Sequence, residues 1–251
     1  MQVFKDIRRE GAMNICVTGG AGFIGSHLVD RLIELGHDVL VIDNLSTGMR
    51  SFVHEDAQFI EMDVRDPKLL SVFEEFKPSI VFHEAAQTMV QSSMENPSYD
   101  CDVNLIGLIN VLDACRKVNV EQFLMPSSAA VYGDLAVLPL TEDLSGMPSS
   151  FYGLTKLTAE GYLRIYHEAF GLNTVCFRYA NVYGPRQGDG GEGGVISIFN
   201  RLIVEGQPLT VFGDGEQTRD FIYVDDVVDA NIKAMGNGQC TGIYNISTNK
   251  G

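Results

Sequence analysis

No stretch of the 251 residues approaches 18 consecutive apolar residues, so no membrane-spanning helix is expected. The opening, MQVFKDIRREGA, lacks the apolar centre of a signal peptide, and residues 1–12 read as an extension outside the fold. The five cysteines (Cys16, Cys101, Cys115, Cys176, Cys240) are odd in number, widely scattered and without a CxxC pair. They fit reduced core residues of a cytoplasmic protein rather than a disulfide or zinc framework. Positive charge is scarce: 18 Lys and Arg face 33 Asp and Glu, for a formal charge of −15. Nucleic acid and anionic membrane would both be repelled, whereas a small anionic ligand answers to local groups only. The five histidines (His27, His37, His54, His83, His167) show no ligand spacing, and His83 reads as a core or turn residue, so no metal is expected.

What the chain does have is glycine in a particular place. VTGGAGFIGSHL (17–28) sets Gly19, Gly20, Gly22 and Gly25 between an apolar run and a helical stretch. Such a bare backbone lets a diphosphate approach the main chain closely and meet the N–H groups of a helix N-terminus. No Gly-Lys-Ser/Thr follows, which excludes a P-loop. Apolar runs at 14–18, 38–43, 58–63, 79–85, 122–128 and 173–179 predict six buried strands. Helical patterns between them cover 22–35, 67–76, 99–118 and 152–170. This alternation predicts an α/β fold, a Rossmann-like doubly wound parallel sheet, with ligands at the carboxyl ends of its strands. The sheet domain is expected over 13–180. GDGGEGG (188–194) falls where the alternation weakens, reads as a flexible loop, and borders a smaller substrate region over 181–251. In YVDDVVDA (223–230), Asp225 or Asp226 is expected to cap a helix and Asp229 to be solvated.

Asp43 ends the second strand, 18 residues after Gly25, where a dinucleotide fold places a carboxylate against the adenosine ribose. A carboxylate there repels a 2′-phosphate, so NAD is expected over NADP. Asp63 ends the third strand and is placed to meet the adenine amino group. Tyr152 and Lys156 lie four apart at the start of a strong helix and share a face. A phenol is protonated near pH 7, its ordinary pKa being about 10, but a nearby ammonium and a positive nicotinamide favour phenolate and make Tyr152 a usable base. Lys156 also reaches the nicotinamide ribose, and Ser128, at the end of the fifth strand, supplies a hydroxyl to share the proton.

TGGAGFIGSHL, IDNLSTG, HEAAQ, SSAAVYG, YGLTK, FRYANVYGPRQ and FGDGEQTRDFIYVDD occur in this order. Together they resemble the extended short-chain dehydrogenase/reductase family, and most of all its UDP-glucose (UDP-galactose) 4-epimerases, over nearly everything from Met13 to Gly251. The resemblance implies Ser128, Tyr152 and Lys156 as the catalytic set, with Ser128 and Tyr152 also touching the sugar. It implies Gly19, Gly22, Phe23, Ile24 and Gly25 at the pyrophosphate, and Asp43, Asn44, Ser46, Thr47 and Gly48 around the adenosine ribose. Asp63 and Val64 would flank the adenine, and Ala85, Ala86 and Gln87 would lie near the cofactor with Asn104 of the N-x-x-G pattern. Asn181, Val195, Phe212 and Arg219 would hold the nucleotide-sugar, Arg219 suiting a diphosphate through its forked donors.

The implied activity is NAD-dependent epimerisation of a UDP-sugar at C4 through a 4-keto intermediate, in a cytoplasmic homodimer. Alternatives are a UDP-glucuronate epimerase or decarboxylase, a sugar-nucleotide reductase, or a non-catalytic dinucleotide sensor, which would not need the catalytic hydroxyls. Related 4,6-dehydratases carry an Asp-Glu pair where this chain has Ala129 and Ala130, which disfavours dehydration. The family also continues beyond YNIST, so the chain reads as truncated at Gly251.

Overall fold

The computed structural model describes residues 11–135, 137–144, 146–188 and 194–250. Seven strands form one parallel sheet: β1 (Asn14–Thr18), β2 (Asp38–Asp43), β3 (Gln58–Glu61), β4 (Ile80–His83), β5 (Gln122–Ser128), β6 (Asn173–Tyr179) and β9 (Gly242–Ile246). Their spatial order is β3-β2-β1-β4-β5-β6-β9. The chain winds outward from β1 to β3, then crosses back to pair β4 with β1, Ile15 opposite Ile80. The order reverses between β1 and β4, so a crevice opens there at the carboxyl ends of the strands. This is a Rossmann-like α/β fold.

Both faces of the sheet are covered, as the unbroken apolar runs require. On one face Leu28, Val29 and Leu32 of α1 (Phe23–Glu34) pack with Val227 and Val228 of α8 (Val224–Ala234) against Val17, Val41 and Phe82. On the other, Phe73 of α2 (Leu69–Phe76), Leu108 and Leu112 of α5 (Gly107–Val118) and Leu163 of α6 (Phe151–Phe170) cover Cys16, Leu40 and Phe123. Cys16, Cys115 and Cys176 are buried thiols as expected, whereas Cys101 is exposed.

Several boundaries differ from the sequence pattern. The helix expected from residue 99 starts earlier, as α4 (Pro97–Cys101), because the Asn96 side chain accepts the Tyr99 N–H (3.1 Å) with Pro97 in the first turn. It then passes through a π-helical turn, Asp102–Ile106, before becoming α5. A short α3 (Val90–Glu95) precedes it. β7 (Asn181–Tyr183) and β8 (Phe221–Tyr223) pair with each other in a separate two-stranded sheet, and α7 (Val195–Val204) lies between them in sequence. The loop expected at 188–194 falls largely on residues 189–193, outside the described residues, as do residues 1–10 of the expected extension. The capping expectation at α8 needs correcting: Tyr223 occupies the N-cap, and Asp225 and Asp226 lie in the first turn, where their charge complements the helix N-terminus. Nor is Asp229 merely solvated, since it pairs with Arg31 of α1 at 3.3 Å. Among the described residues no helix is long and apolar enough to cross a membrane, and no cluster of His, Cys, Asp or Glu could hold a metal ion.

Candidate active site

A cavity of about 500 Å³ lies over the carboxyl ends of β1, β2, β4 and β5. At one end the chain turns from β1 into α1 on Gly19, whose φ of +73° belongs to the left-handed region. A Cβ on Gly19 would meet the Ala85 nitrogen at 2.4 Å, and one on Gly25 the Gly19 carbonyl oxygen at 2.2 Å. Only glycine permits both approaches. Gly22 offers no side chain to cap α1, so the first-turn N–H groups are left for the cavity that Phe23, Ile24 and Gly25 line. This donor set and the Cβ-free cradle fit the diphosphate of a dinucleotide.

Asp43 closes the cradle from β2. Its carboxylate accepts the Ala21 N–H (3.0 Å) and the Leu45 N–H (2.8 Å), one on each oxygen, so each oxygen keeps a further lone pair. Asn44, Ser46, Thr47, Gly48 and Val64 continue this wall. Asp63 also lines the cavity, but its carboxylate is already engaged. Oδ1 accepts from the Arg65 backbone (2.9 Å) and Nε (2.8 Å), while Oδ2 accepts from an Arg65 terminal nitrogen (2.7 Å) and Asn44 Nδ2 (2.9 Å). These bonds hold its pKa well below the usual carboxylate range. Through the Asn44 bond Asp63 also buttresses Asn44 in the cavity wall.

The other end carries the reactive groups. Ser128 ends β5, and its Oγ accepts the Ala130 N–H (3.2 Å), which leaves its own proton for Tyr152, to which it is hydrogen-bonded. Tyr152 and Lys156 stand one turn apart on α6, whose first turn is capped by Ser150 accepting the Gly153 N–H (3.1 Å). Lys156 Nζ donates to the Pro126 carbonyl (3.0 Å) and lies 5.9 Å from the Tyr152 ring centre. Burial pushes the phenol up to about 12, against the Ser128 hydrogen bond and with help from Asp100. The lowered phenol expected beside Lys156 is therefore not produced by the protein's own groups. Desolvation prevails, and it lowers the Lys156 ammonium as well. His83 is a buried core residue bonded to Thr18 Oγ1 (2.8 Å) and kept neutral by burial, which lowers it to about 3.

Ala85, Ala86 and Gln87 line the cavity as expected, but Asn104 does not. It sits beneath the Gln87 loop, accepting the Gln87 N–H (2.9 Å) and donating to the Gln87 carbonyl (2.9 Å), Asp100 (3.2 Å) and Thr155 (3.4 Å). The buried Asp100, which sequence reasoning missed, collects Thr155 Oγ1 (2.8 Å) and Gln87 Nε2 (2.7 Å) and so ties α4 to the first turn of α6. Also missed were Glu84, Pro126 and Tyr179 of the cavity wall. Their position just past or at the end of a strand was the available signal.

The residues expected at the nucleotide-sugar are not gathered in this cavity. Asn181 donates to the Asp220 carbonyl (2.9 Å) and Arg219 to the Thr218 carbonyl (2.8 Å), both in exposed settings. Val195 opens α7, and Phe212 is 83% exposed.

A glycine cradle at the switch point of a doubly wound sheet, facing a Ser-Tyr-Lys set across one cavity, defines a dinucleotide-dependent enzyme. The chain belongs to the NAD dependent epimerase/dehydratase family, whose family model matches residues 15–247. It is thus an NAD-dependent enzyme of the epimerase type. It is 43% identical to the UDP-glucose 4-epimerase of Thermotoga maritima, solved with UDP-glucose, with a TM-score of 0.91 over 95% of this chain and 78% of that one. The Thermus thermophilus UDP-glucose 4-epimerase, solved with NAD, is 41% identical with a TM-score of 0.88 over 93% and 77% of the two chains. The UDP-glucose 4-epimerase of Mycolicibacterium smegmatis is 40% identical over 242 residues, 94% of this chain and 77% of that protein.

Proposed function

We propose that the protein inverts C4 of a UDP-sugar of the UDP-glucose/UDP-galactose type through a transient 4-keto sugar. The observation that carries this reading is the Ser128–Tyr152–Lys156 set on the wall of a cavity whose far end is the glycine cradle. Removing the C4 proton directly is hard, because no adjacent carbonyl acidifies that C–H. NAD, when bound, supplies the way round this by accepting the C4 hydrogen with its electron pair and returning it. Tyr152 accepts the C4 hydroxyl proton as the ketone forms and gives it back as the ketone is reduced. Ser128 donates to the Tyr152 oxygen and steadies the phenolate. Lys156, anchored on Pro126, has donors left for the nicotinamide ribose and adds positive charge beside the phenol. Tyr152 is high in the protein alone, so its use as a base depends on the cation brought by the cofactor.

Asp43 is assigned to the adenosine ribose, and its charge favours NAD over NADP. Asn181, Val195, Phe212 and Arg219 are assigned to the nucleotide-sugar, within a substrate region over 181–251. Residues 13–180 form the NAD-binding unit of this reading. Ala129 and Ala130 follow Ser128 where a dehydratase needs acids, which favours epimerisation over water loss. The epimerases named above, at 40–43% identity, support the same substrate. A cytoplasmic homodimer is the working form assigned here. Incubating the protein with C4-deuterated UDP-galactose should give UDP-glucose that keeps its deuterium, with no net demand for NAD. Deuterium lost to water would overturn the 4-keto route.

A further inference from the structure

The first turn of α6, which carries Tyr152, is gripped by groups that the chemistry above does not use. An α-helix leaves its first N–H groups without partners inside the helix, and Tyr152 is the second residue of α6. Ser150 takes the Gly153 N–H (3.1 Å). The Tyr152 N–H is taken from outside the helix, by Ser93 Oγ of α3 (3.1 Å). Ser93 is fully buried, and its own proton goes to the Val90 carbonyl (2.6 Å), so its oxygen serves Tyr152 as an acceptor. The Tyr152 carbonyl is held as well. It accepts from Thr155 Oγ1 (3.0 Å), whose one proton is shared with Asp100 Oδ2 of α4 (2.8 Å). On a third side Gly153 lies against the turn after β5, where a Cβ would meet the Ala130 carbonyl oxygen at 2.6 Å. Ser128 caps that turn.

Both grips lead back to the cavity. Gln87, Thr88, Met89 and Ser92 line it, and the Ser93 N–H is anchored on the Met89 carbonyl (3.0 Å). Asp100 also collects Gln87 Nε2 (2.7 Å) and Asn104 Nδ2 (3.2 Å), so this wall and the α6 turn share one set of partners. We propose that Ser93 and Asp100 are positioning residues, which clamp the backbone of Tyr152 from both sides and so fix its phenol against Ser128. The proposal rests on the reading of Tyr152 as the base. Neither Ser93 nor Asp100 lines the cavity, so each acts through Tyr152. Proton transfer needs the phenol oxygen, Ser128 Oγ and the C4 hydroxyl within hydrogen-bond reach at the same moment. Misplacing such a group by about 1 Å costs about 10²-fold in rate. Packing between α3 and α6 would be met by alanine; the Ser93 hydroxyl answers the Tyr152 N–H.

The test compares Ser93→Ala, Tyr152→Phe and the double variant by turnover of UDP-galactose, and by NMR amide exchange of the cofactor-free protein. Ser93→Ala should lower kcat about tenfold with KM within about twofold, while melting temperature falls by about 2–4 °C. Its Tyr152 amide should exchange about tenfold faster, and the Gly153 amide, still held by Ser150, should not change. In the Tyr152→Phe background the same change should cost no further turnover, because the group being positioned is gone. A loss that persists there would overturn the proposal. So would an unchanged kcat with a lowered melting temperature, the mark of a merely structural cap. Asp100→Asn can still accept from Gln87 and Asn104 and donate to Thr155, so kcat should stay within about threefold. A larger loss would place the role of Asp100 in its charge and overturn the clamp on that side. If Ser93→Ala does not fold, amide exchange in the unmodified protein decides: slow exchange at Tyr152 is expected, and exchange at the free-peptide rate overturns the clamp. Near-normal turnover in Tyr152→Phe alone would remove the base and the clamp with it, whereas a low rate with additive losses removes the clamp alone.

Discussion

Among the described residues Asn104, beneath the cavity, makes four hydrogen bonds, whereas Arg219, just before β8, makes one, to the carbonyl of its neighbour. The two regions around them differ in the same way. Between β4 and α6 the side chains of Asp100, Asn104, Gln87 and Thr155 bond to one another across the fold. A second closed set joins β5, α6, β6 and β9. Arg178 grips Glu160 through two bonds (2.9 and 2.8 Å), Ser127 donates to Glu160 (2.6 Å), and Tyr132 links Arg178 to Asn245 (2.8 and 2.7 Å). Around β7, β8 and α7 the side chains bond mainly to nearby backbone, and Phe212, Val204 and Ile203 stand exposed. The cofactor side is thus preorganised by the protein's own polar contacts. The residues assigned to the sugar-nucleotide are less constrained by such contacts.

If that contrast holds, substitutions should act on different observables in the two regions. The largest effect is expected for Tyr152→Phe. Turnover should fall roughly 10²–10⁴-fold, the usual worth of a positioned acid–base group, while NAD affinity measured by calorimetry changes little. Near-normal turnover would show that the proton leaves by another group. Next comes Glu160→Leu, which leaves the Arg178 guanidinium buried and unpaired, both side chains being about 95% buried as a pair (5% and 4% exposed). Unfolding free energy by denaturant titration should drop by about 3–5 kcal/mol. A loss under 1 kcal/mol would mean that the closed set adds little rigidity. The smallest effect on the fold is expected for Arg219→Ala. Melting temperature should not move, and UDP-sugar affinity should weaken by no more than about 10–100-fold, the worth of one lost charge-assisted contact. A destabilised Arg219→Ala protein would show that this region is as closely built as the other.

The parts of the fold legible in the sequence are those where one physical signal suffices. β1, β2, β5 and β6 are apolar runs buried on both faces, and α1 and α6 carry an apolar stripe, so their limits agree with the pattern within a residue. β7 and β8 have three residues each, too short for any period to show. β9, GIYNI, is only half-buried and joins a sheet whose other strands lie far back in the chain, so nothing local marks it. The π-helical turn escapes a pattern built on a period of 3.6 residues. In the site, the helical spacing of Tyr152 and Lys156 and the glycine cradle were readable because their partners are near in sequence. Asp100 and Thr155, 55 residues apart, meet only through the packing of α4 on α6. Glu84 was read as part of HEAAQ for its place in the chain, and only its buried, unpartnered oxygen sets it apart.

The pairing of β9 with β6 has a consequence for how the protein is made. β6 ends at Tyr179 and β9 begins at Gly242, so a long stretch must be synthesised before β6 gains its second neighbour. At about 5–20 residues per second that is a delay of roughly 3–13 s on the ribosome. During it β6 is an outer strand carrying Val175, Phe177 and Tyr179, with one row of backbone donors and acceptors unmatched. Nascent chains queued on one message would hold such edges side by side, and holdase chaperones should act in that interval.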